Sequence, residues 1–470
     1  MRLSLHPLAS AILLAATAGS VSAADLMDAY EMARQSDPVL SAAESRSFAQ
    51  DEGVVQSRAA LLPQLSGDVT YSRTETDFSG SQAFGTVVQP PSESSSENTN
   101  SGWGISLRQS IFDFGNYTRL GAARARAGQV EAEYEAAQDA LVVRVADAYF
   151  NVLTAIETLA SSRAEERSVK RQLDQAEKRL EVGLAPITDV HEARARFDTA
   201  RANAIAAANA LDDAREALAE ITGTQVNNLQ GLAPDYVPEV PEGLLEQDWV
   251  AIAMEYNPTL LARELAVAAA EKDIGTARSG HLPSLALTAG YSDGDGDGSN
   301  DIFSPTPGSN SFDNSAQTTR VGLTLSVPLF AGGATQSGVR QAVHFRDIAT
   351  DQLEQERRAV VRQTRNAERS LGAGAAEVEA RRLSVVSARA AYEASEAGLE
   401  VGTRTIVDVL ITQQSLFQAQ REYARARHAF LVNVLRLKQA GGTIDISDLQ
   451  EVNRVLVADA DAALETTVTD

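Results

Sequence analysis

The residues of this sequence that could do chemistry lie beside two glycines, Gly183 and Gly402. Each glycine ends a copy of Leu-Glu-Val-Gly, and an acidic residue follows each copy, Asp189 in the first and Asp408 in the second. A glycine that stops one helix just before another begins is typical of the tip of a helical hairpin. Polar and charged side chains at such tips can form ion pairs and hydrogen bonds between neighbouring helices. The chemistry that they predict is electrostatic.

The sequence has no comparable pattern of residues for catalysis or metal binding. The sequence has no Cys, which excludes disulfides, thiolate metal sites and Cys nucleophiles. The five His residues are scattered, and no Ser-His-Asp set or Gly-rich phosphate loop occurs. The segment 293–298 copies the start of a calcium-binding loop, but its twelfth position is Ser304 in place of a bidentate Glu. We predict an acidic external loop there, with loose divalent-cation binding as the alternative, and neither an enzyme nor a cofactor.

Composition and the N-terminus indicate an exported protein. The chain has 470 residues and a formal net charge of -23, which argues against nucleic acid as a partner. Residues 1–23 combine a basic start, an apolar centre and a small-residue cleavage site, which predicts a secretory signal peptide. No later run of ~18 apolar residues occurs, so a membrane span would have to consist of strands.

Four segments alternate apolar and polar residues, as strands with one apolar face do. A tilted strand of ~9–11 residues can cross a bilayer, but four strands are too few to close a barrel. Open strand edges are not viable in lipid, so a barrel would be shared between two chains or three. The predicted strands are about 64–77, 100–112, 284–296 and 317–328, with Gly- and Ser-rich loops at 79–102 and 292–317.

Long Ala-rich segments predict helices of unusual length. Apolar residues in 141–180 recur every ~3.5 residues, which is typical of coiled-coil packing. At 1.5 Å per residue the longest helix would extend for ~100 Å, too far for a globular core. The predicted long helices are about 115–181, 186–222, 334–400 and 404–440.

The order helix, strand, loop, strand, long helix, tip and helix occurs twice. Asp37-Pro38 is matched by Asn257-Pro258, and Leu62-Pro63 by Leu282-Pro283. Repetition in both order and spacing predicts an internal duplication. The predicted divisions are a first repeat at 24–241, a second repeat at 242–442 and an acidic, weakly structured tail at 443–470.

Several motifs in these elements are more specific than their periodicity. They are Leu61-Leu62-Pro63-Gln64-Leu65, Gln109-Ser110-Ile111-Phe112-Asp113, Ala148-Tyr149-Phe150-Asn151-Val152-Leu153, Arg171-Gln172-Leu173-Asp174-Gln175, Gly280-His281-Leu282-Pro283 and Val401-Gly402-Thr403-Arg404-Thr405-Ile406-Val407-Asp408-Val409-Leu410. Together they resemble the TolC family of bacterial outer-membrane efflux channels, over roughly 25–455.

The resemblance implies a mixed α and β fold in the cell outer membrane. In it, three identical chains form a twelve-stranded transmembrane barrel that continues into a coiled-coil helical tunnel in the periplasm. The implied function is passive conduction of drugs and toxic compounds in tripartite efflux and type I secretion systems, and the sequence leaves open whether proteins also pass. The implied partners are outer-membrane lipid, a periplasmic adaptor protein and an inner-membrane pump.

The resemblance also implies a lock at the closed periplasmic end. Thr188, Asp189 and Arg404 match residues of that lock, and so do Gln172 and Glu396 before the tips. A guanidinium can bridge neighbouring helices through several donors. The alternative is that these are solvated residues of ordinary helix starts and helix surfaces.

Two positions near the tips depart from the family pattern. The match of Asp408 contributes to an acidic ring that favours cations. A second acidic ring residue is expected one turn later, where this chain has Ile411, and a Tyr is expected where it has Leu399. We therefore expect one acidic ring and weaker cation selectivity. The alternative for Asp408 is a solvated helix-start residue that suits the positive end of the helix dipole.

The tips themselves are implied to dock with hairpins of the adaptor, with ordinary helix capping as a compatible reading. The tip residues are Val182, Gly183, Leu184, Val401, Gly402 and Thr403. The alternative function of the chain is a non-conducting, membrane-anchored coiled-coil scaffold or adhesin. Polar groups at both hairpin ends favour the channel, because a scaffold has no use for them.

Overall fold

The fold is known from a computed structural model. It describes residues 24–80, 83–84, 87–88, 92–233, 236–241, 243–304, 307–460 and 464. The predicted signal peptide, 1–23, lies outside the described residues. The chain forms two compact units, each with segments from both halves of the sequence: Met1–Ala42, Ala136–Asn257 and Val360–Asp470 in the first, and Ala43–Glu135 and Pro258–Ala359 in the second. These units do not follow the two sequence repeats, whose division stays a prediction.

Long helices occupy the ranges in which the sequence predicts them. The helices are α1 (Leu26–Ser36), α2 (Pro38–Ala59), α3 (Phe114–Glu181), α4 (Ile187–Thr222), α5 (Trp249–Tyr256), α6 (Pro258–Ser279), α7 (Ala334–Glu400), α8 (Ile406–Gly441) and α9 (Ile446–Asn453). Of these, α3 has 68 residues and α7 has 67. In the part of the chain that the structure describes, none of the helices combines the length and apolarity that a membrane-crossing helix needs.

Four long strands form one antiparallel sheet in the order β1-β4-β6-β7. The strands are β1 (Gln64–Gly80), β2 (Ala83–Phe84), β3 (Val87–Val88), β4 (Ser92–Phe112), β5 (Gln230–Leu232), β6 (Ser284–Ser304), β7 (Gly308–Ser326) and β8 (Leu456–Asp459). Two short pairs, β2 with β3 and β5 with β8, complete the strands in the described residues.

The long strands continue well into the segments predicted as loops. The loop predictions at 79–102 and 292–317 are wrong for most of their residues, since β4, β6 and β7 pair through them. The ladder is held by backbone hydrogen bonds, which Gly, Ser and Asn form as well as apolar residues do. The acidic external loop predicted at 293–298 is also wrong, because this segment belongs to β6. In the described residues no group of three acidic, His or Cys side chains could hold a metal ion.

The sheet has one apolar and one polar face. Leu65 lies opposite Leu107, which lies opposite Ala289, and Ala289 lies opposite Val321. Residues directly opposite share a face, and the outermost of these side chains are widely exposed, Leu65 by 72% and Val321 by 71%. The opposite face has polar residues such as Ser66, whose hydroxyl lies 2.8 Å from that of Ser106. This polar face lines a hollow of about 720 Å³.

The chain end is more ordered than the predicted tail. The prediction of weak structure at 443–470 is wrong for α9 and β8, which pairs with β5. A capping box between Asp445 and Asp448 starts α9, and Leu449 and Leu456 are buried. The acidic composition of this segment suggests weak structure, but its few apolar residues are buried. Their burial stabilises the short helix and strand.

Candidate functional site

The first tip joins α3 to α4 through a Schellman turn. Gly183 has a φ of +75°, and its N–H donates to the carbonyl of Leu180 at 2.9 Å. The N–H of Leu184 donates to the carbonyl of Arg179 at 2.8 Å. This pattern satisfies the last carbonyls of a helix and favours glycine at the left-handed position.

The second tip, between α7 and α8, repeats the turn. Gly402 has a φ of +76°, and Thr403 donates its N–H to the carbonyl of Gly398 at 2.8 Å. Apolar side chains project from both turns, with Val182 exposed by 68%, Leu184 by 71% and Val401 by 75%. The two turns thus share both their geometry and their exposed apolar side chains.

The helices after the two tips start differently. A capping box starts α8: the Asp408 carboxylate accepts from the backbone N–H of Thr405 at 3.0 Å and from its hydroxyl at 2.8 Å. These hydrogen bonds, first the backbone one, hold the pKa of Asp408 below its usual range, and the charge of Arg404 adds to the effect. The N-cap residue of α4 is Pro186, and no side chain caps this helix start. The geometry therefore gives Asp408 a capping role and gives Asp189 none.

This difference predicts how two matched variants behave. We expect Asp408→Ala to speed hydrogen exchange of the Thr405 amide and of the first turn of α8, because the carboxylate that accepts from the backbone N–H of Thr405 is lost. We expect Asp189→Ala to leave exchange in the first turn of α4 unchanged. Hydrogen-exchange mass spectrometry of both variants tests this, and equal protection losses at the two helix starts would contradict it.

Arg404 extends along the end of α7. A Cβ placed on Gly398 would lie 2.6 Å from Cγ of Arg404, so a larger residue there would require the Arg404 side chain to move. Within the single chain, no hydrogen bond or ion pair of the described residues joins Arg404 to Thr188 or Asp189. A lock between these residues would therefore require a neighbouring chain.

An apolar cluster lies beneath the tips. Its buried members are Val169, Leu173, Ala176, Val190, Ala193, Ala200, Ile406 and Leu410. Leu399, where the family pattern expects a Tyr, packs against this cluster. Ile411, where a second acidic ring residue is expected, is 46% exposed. The first departure thus adds apolar packing, and the second leaves an exposed apolar side chain.

Gln172 and Glu396, the remaining predicted lock residues, are not hydrogen-bonded to each other among the described residues. Gln172 is buried on α3, whereas Glu396 accepts a hydrogen bond of 3.2 Å from the hydroxyl of Tyr392. Burial raises the pKa of the Tyr392 hydroxyl, and the charge of Glu396 raises it further. Tyr392 therefore stays protonated and remains a donor near neutral pH.

Four further residues of this region are not predicted from the sequence: Ser168, Tyr392, Gly398 and Gln413. Gln413 donates from its Nε2 atom to the Ser168 hydroxyl at 2.6 Å. A signal was present, because Gln413 interrupts the apolar face that Leu410 and Leu416 share on α8. Ser168 and Tyr392 gave no such signal, since both types are common on helix surfaces.

A solved structure identifies the class of fold. The chain is similar to the CmeC outer membrane channel of Campylobacter jejuni, with a TM-score of 0.73, 17% sequence identity, and coverage of 92% of this chain and 90% of that one. The fold is that of a mixed α and β outer-membrane channel, which confirms the predicted fold class.

Sequence comparisons identify the family. A family model described as outer membrane efflux protein matches residues 29–224 and 249–443. The outer membrane protein TolC of Vibrio cholerae is 37% identical over 454 residues, 96% of this chain and 98% of that protein. The alkaline protease secretion protein AprF of Pseudomonas aeruginosa is 28% identical, over 91% of this chain and 86% of that protein. The chain belongs to the outer membrane efflux protein family, as the sequence motifs predict.

Family membership confirms several predictions at once. The chain is an outer-membrane channel of efflux and type I secretion, and its place is the cell outer membrane. Its family consists of channel proteins, and such channels function with partner proteins of their export systems.

Proposed function

We propose that three copies of this chain assemble into one channel that conducts drugs and toxic compounds passively from the periplasm to the exterior. Each copy would contribute its sheet to a twelve-stranded barrel. The apolar face of the sheet supports this, because side chains such as Leu65 and Val321 are widely exposed in the single chain. So do the outer edges of β1 and β7, which have no partner strand among the described residues. Edges of this kind need partners in lipid.

The gate of this channel would lie at the tips on the periplasmic side. Arg404 of one copy would reach Thr188 and Asp189 of a neighbouring copy. Asp189 carries no capping duty, and Arg404 has no ion pair in the described part of the single chain. Both groups are therefore available to a second copy, and a closed ring of such pairs would hold the tips together.

A periplasmic adaptor would dock on the tips and connect the channel to an inner-membrane pump. The exposed apolar side chains Val182, Leu184 and Val401 support this, since apolar side chains on paired turns can insert between those of another hairpin. The description of the family model supports a role in efflux, and the name of the Pseudomonas aeruginosa relative supports a role in protein secretion. The two ranges that the family model matches support the division of the chain into two repeats.

Complementation separates the channel from the scaffold or adhesin. We expect this chain to restore drug tolerance to a strain that lacks its own outer-membrane efflux channel. A variant with Gly183→Asp and Gly402→Asp should insert in the outer membrane but fail to restore tolerance, because both turns and both docking surfaces are altered. Restored surface adhesion without restored drug tolerance would contradict the channel function and favour the scaffold.

A further inference from the structure

A layer of polar side chains borders the apolar cluster beneath the tips. It consists of Ser168 and Gln172, one turn apart on α3, with Tyr392 on α7 and Gln413 on α8. We call these four residues the polar layer. Gln413 is 2% exposed and Gln172 is 7% exposed, so both amide groups are removed from water.

The polar layer is only partly hydrogen-bonded. Nε2 of Gln413 donates to the Ser168 hydroxyl at 2.6 Å and approaches the Tyr392 hydroxyl at 3.5 Å. The Oε1 atoms of Gln172 and Gln413 are buried and have no hydrogen-bond partner in the described residues. Turning the Gln413 amide over would give its oxygen the Ser168 hydroxyl but would remove the partner of its nitrogen. Either orientation leaves one amide atom of Gln413 without a partner.

A buried amide oxygen without a partner costs more free energy than one neutral hydrogen bond returns. An apolar side chain of the same size would pack here at lower cost. The cost exists only while α8 and α7 pack against α3, because water would satisfy both oxygens once the helices separate. The polar layer therefore disfavours the packed arrangement, next to an apolar cluster that favours it.

We propose that Gln413 is a positioning residue of the gate, and that the polar layer reduces the work needed to separate the ends of α7 and α8 from α3. This inference rests on the proposed gate at the tips. The apolar cluster and the contacts of Arg404 with Thr188 and Asp189 would hold the closed arrangement. The polar layer would keep the stability of that arrangement small enough for a docking partner to open it.

Two variants of the Gln413–Ser168 contact should change the open fraction of the channel in opposite directions. Gln413→Met keeps the side-chain size and removes the unpartnered amide, so it should favour the closed channel. In an Arg404→Ala background we expect it to reduce the open fraction by roughly fivefold. Ser168→Ala removes the partner of Gln413 and should raise the open fraction of the otherwise unchanged channel. Single-channel recordings of the assembled, full-length protein in planar bilayers measure both.

The matched control is Gln418→Met, on the exposed side of α8, which should leave the open fraction unchanged.

Thermal unfolding distinguishes a positioning role of Gln413 from a merely structural one. A Gln413→Met variant that unfolds at a higher temperature but opens as often as its parent would overturn the proposal. If Gln413→Met does not assemble, Ser168→Ala alone decides, and an unchanged open fraction overturns the proposal. If Arg404→Ala fails to open the channel, the gate itself is wrong. If it opens and the polar-layer variants have no effect, only this inference fails.

Discussion

Arg404→Ala is expected to raise the open fraction of the channel by roughly tenfold or more. Its guanidinium is the cation of the proposed lock, and hydrogen bonds to a charged group contribute about 1.5–3 kcal/mol each. Every 1.4 kcal/mol changes an equilibrium constant about tenfold. Because the closed ring would contain one such contact per copy, the loss is repeated around the axis. Single-channel conductance in planar bilayers is the measurement.

The control for this prediction is Arg179→Ala. Arg179 lies at the end of α3, is exposed, and contributes only its backbone carbonyl to the first tip. The Arg179→Ala variant removes the same charge from the same end of the helices without changing a residue of the proposed lock. Asp189→Ala should behave like Arg404→Ala. If neither variant changes conductance, or if Arg179→Ala opens the channel equally well, the lock does not exist.

Asp37→Asn is expected to be the most destabilising of these substitutions, by about 2 kcal/mol. The Asp37 carboxylate is 3% exposed and accepts from Arg144 at 2.6 Å and 3.3 Å. It also accepts from the backbone N–H of Leu40 at 2.9 Å. Asparagine keeps an oxygen that can accept this backbone hydrogen bond, so the variant measures the contribution of the carboxylate charge to stability. Arg144 is 34% exposed, which puts the loss below that of a fully buried pair.

The pH dependence follows from the direction of the pKa shift. Burial alone would raise the pKa of Asp37, but the hydrogen bond from Arg144, the N–H of Leu40 and the Arg144 charge together hold it below its usual value. A carboxylate with a lowered pKa stabilises the fold above its unfolded pKa of about 3.9, and this contribution is lost as the pH falls through the folded value. The stability difference between the parent and Asp37→Asn should therefore be constant from about pH 5 to 8 and shrink in more acidic solution.

Asp273→Asn is the matched control for Asp37→Asn. Asp273 pairs with Arg126, but both side chains are about two-fifths exposed. Exposed ion pairs contribute at most about 1 kcal/mol, so this variant should change the unfolding temperature little at any pH. Equal losses for the two variants would contradict the role assigned to the buried pair.

The sequence predicts the elements wherever side chains dictate them. Alternation marks the apolar parts of the strands near Leu65 and Val321, where one face must avoid water. It fails where β6 continues through Asp295 and Gly296, because pairing there depends on backbone hydrogen bonds and neighbouring strands. In that region Phe312 lies over Gly298, with its ring 2.6 Å from where a Cβ would be. Such cross-strand contacts join residues that no local pattern connects.

The positions of the tips can be predicted from the sequence, but the side-chain contacts around them cannot. Two glycines before two helix starts are a local signal, and both have the left-handed backbone that the turn requires. The structure adds a capping box between Asp408 and Thr405. The contact of Gln413 with Ser168 joins helices that are far apart in sequence, so only packing in three dimensions reveals it.

In the proposed gate, the tips of neighbouring copies close the channel. The chain has no Cys, so cysteines can be introduced at Asp189 and Arg404 without competing thiols. We predict that the double variant forms disulfides between copies under oxidation, that export of a fluorescent drug then stops, and that a reductant restores it. The proposed gate would be contradicted if oxidised channels, fully cross-linked between these positions, exported the drug as fast as channels treated with reductant.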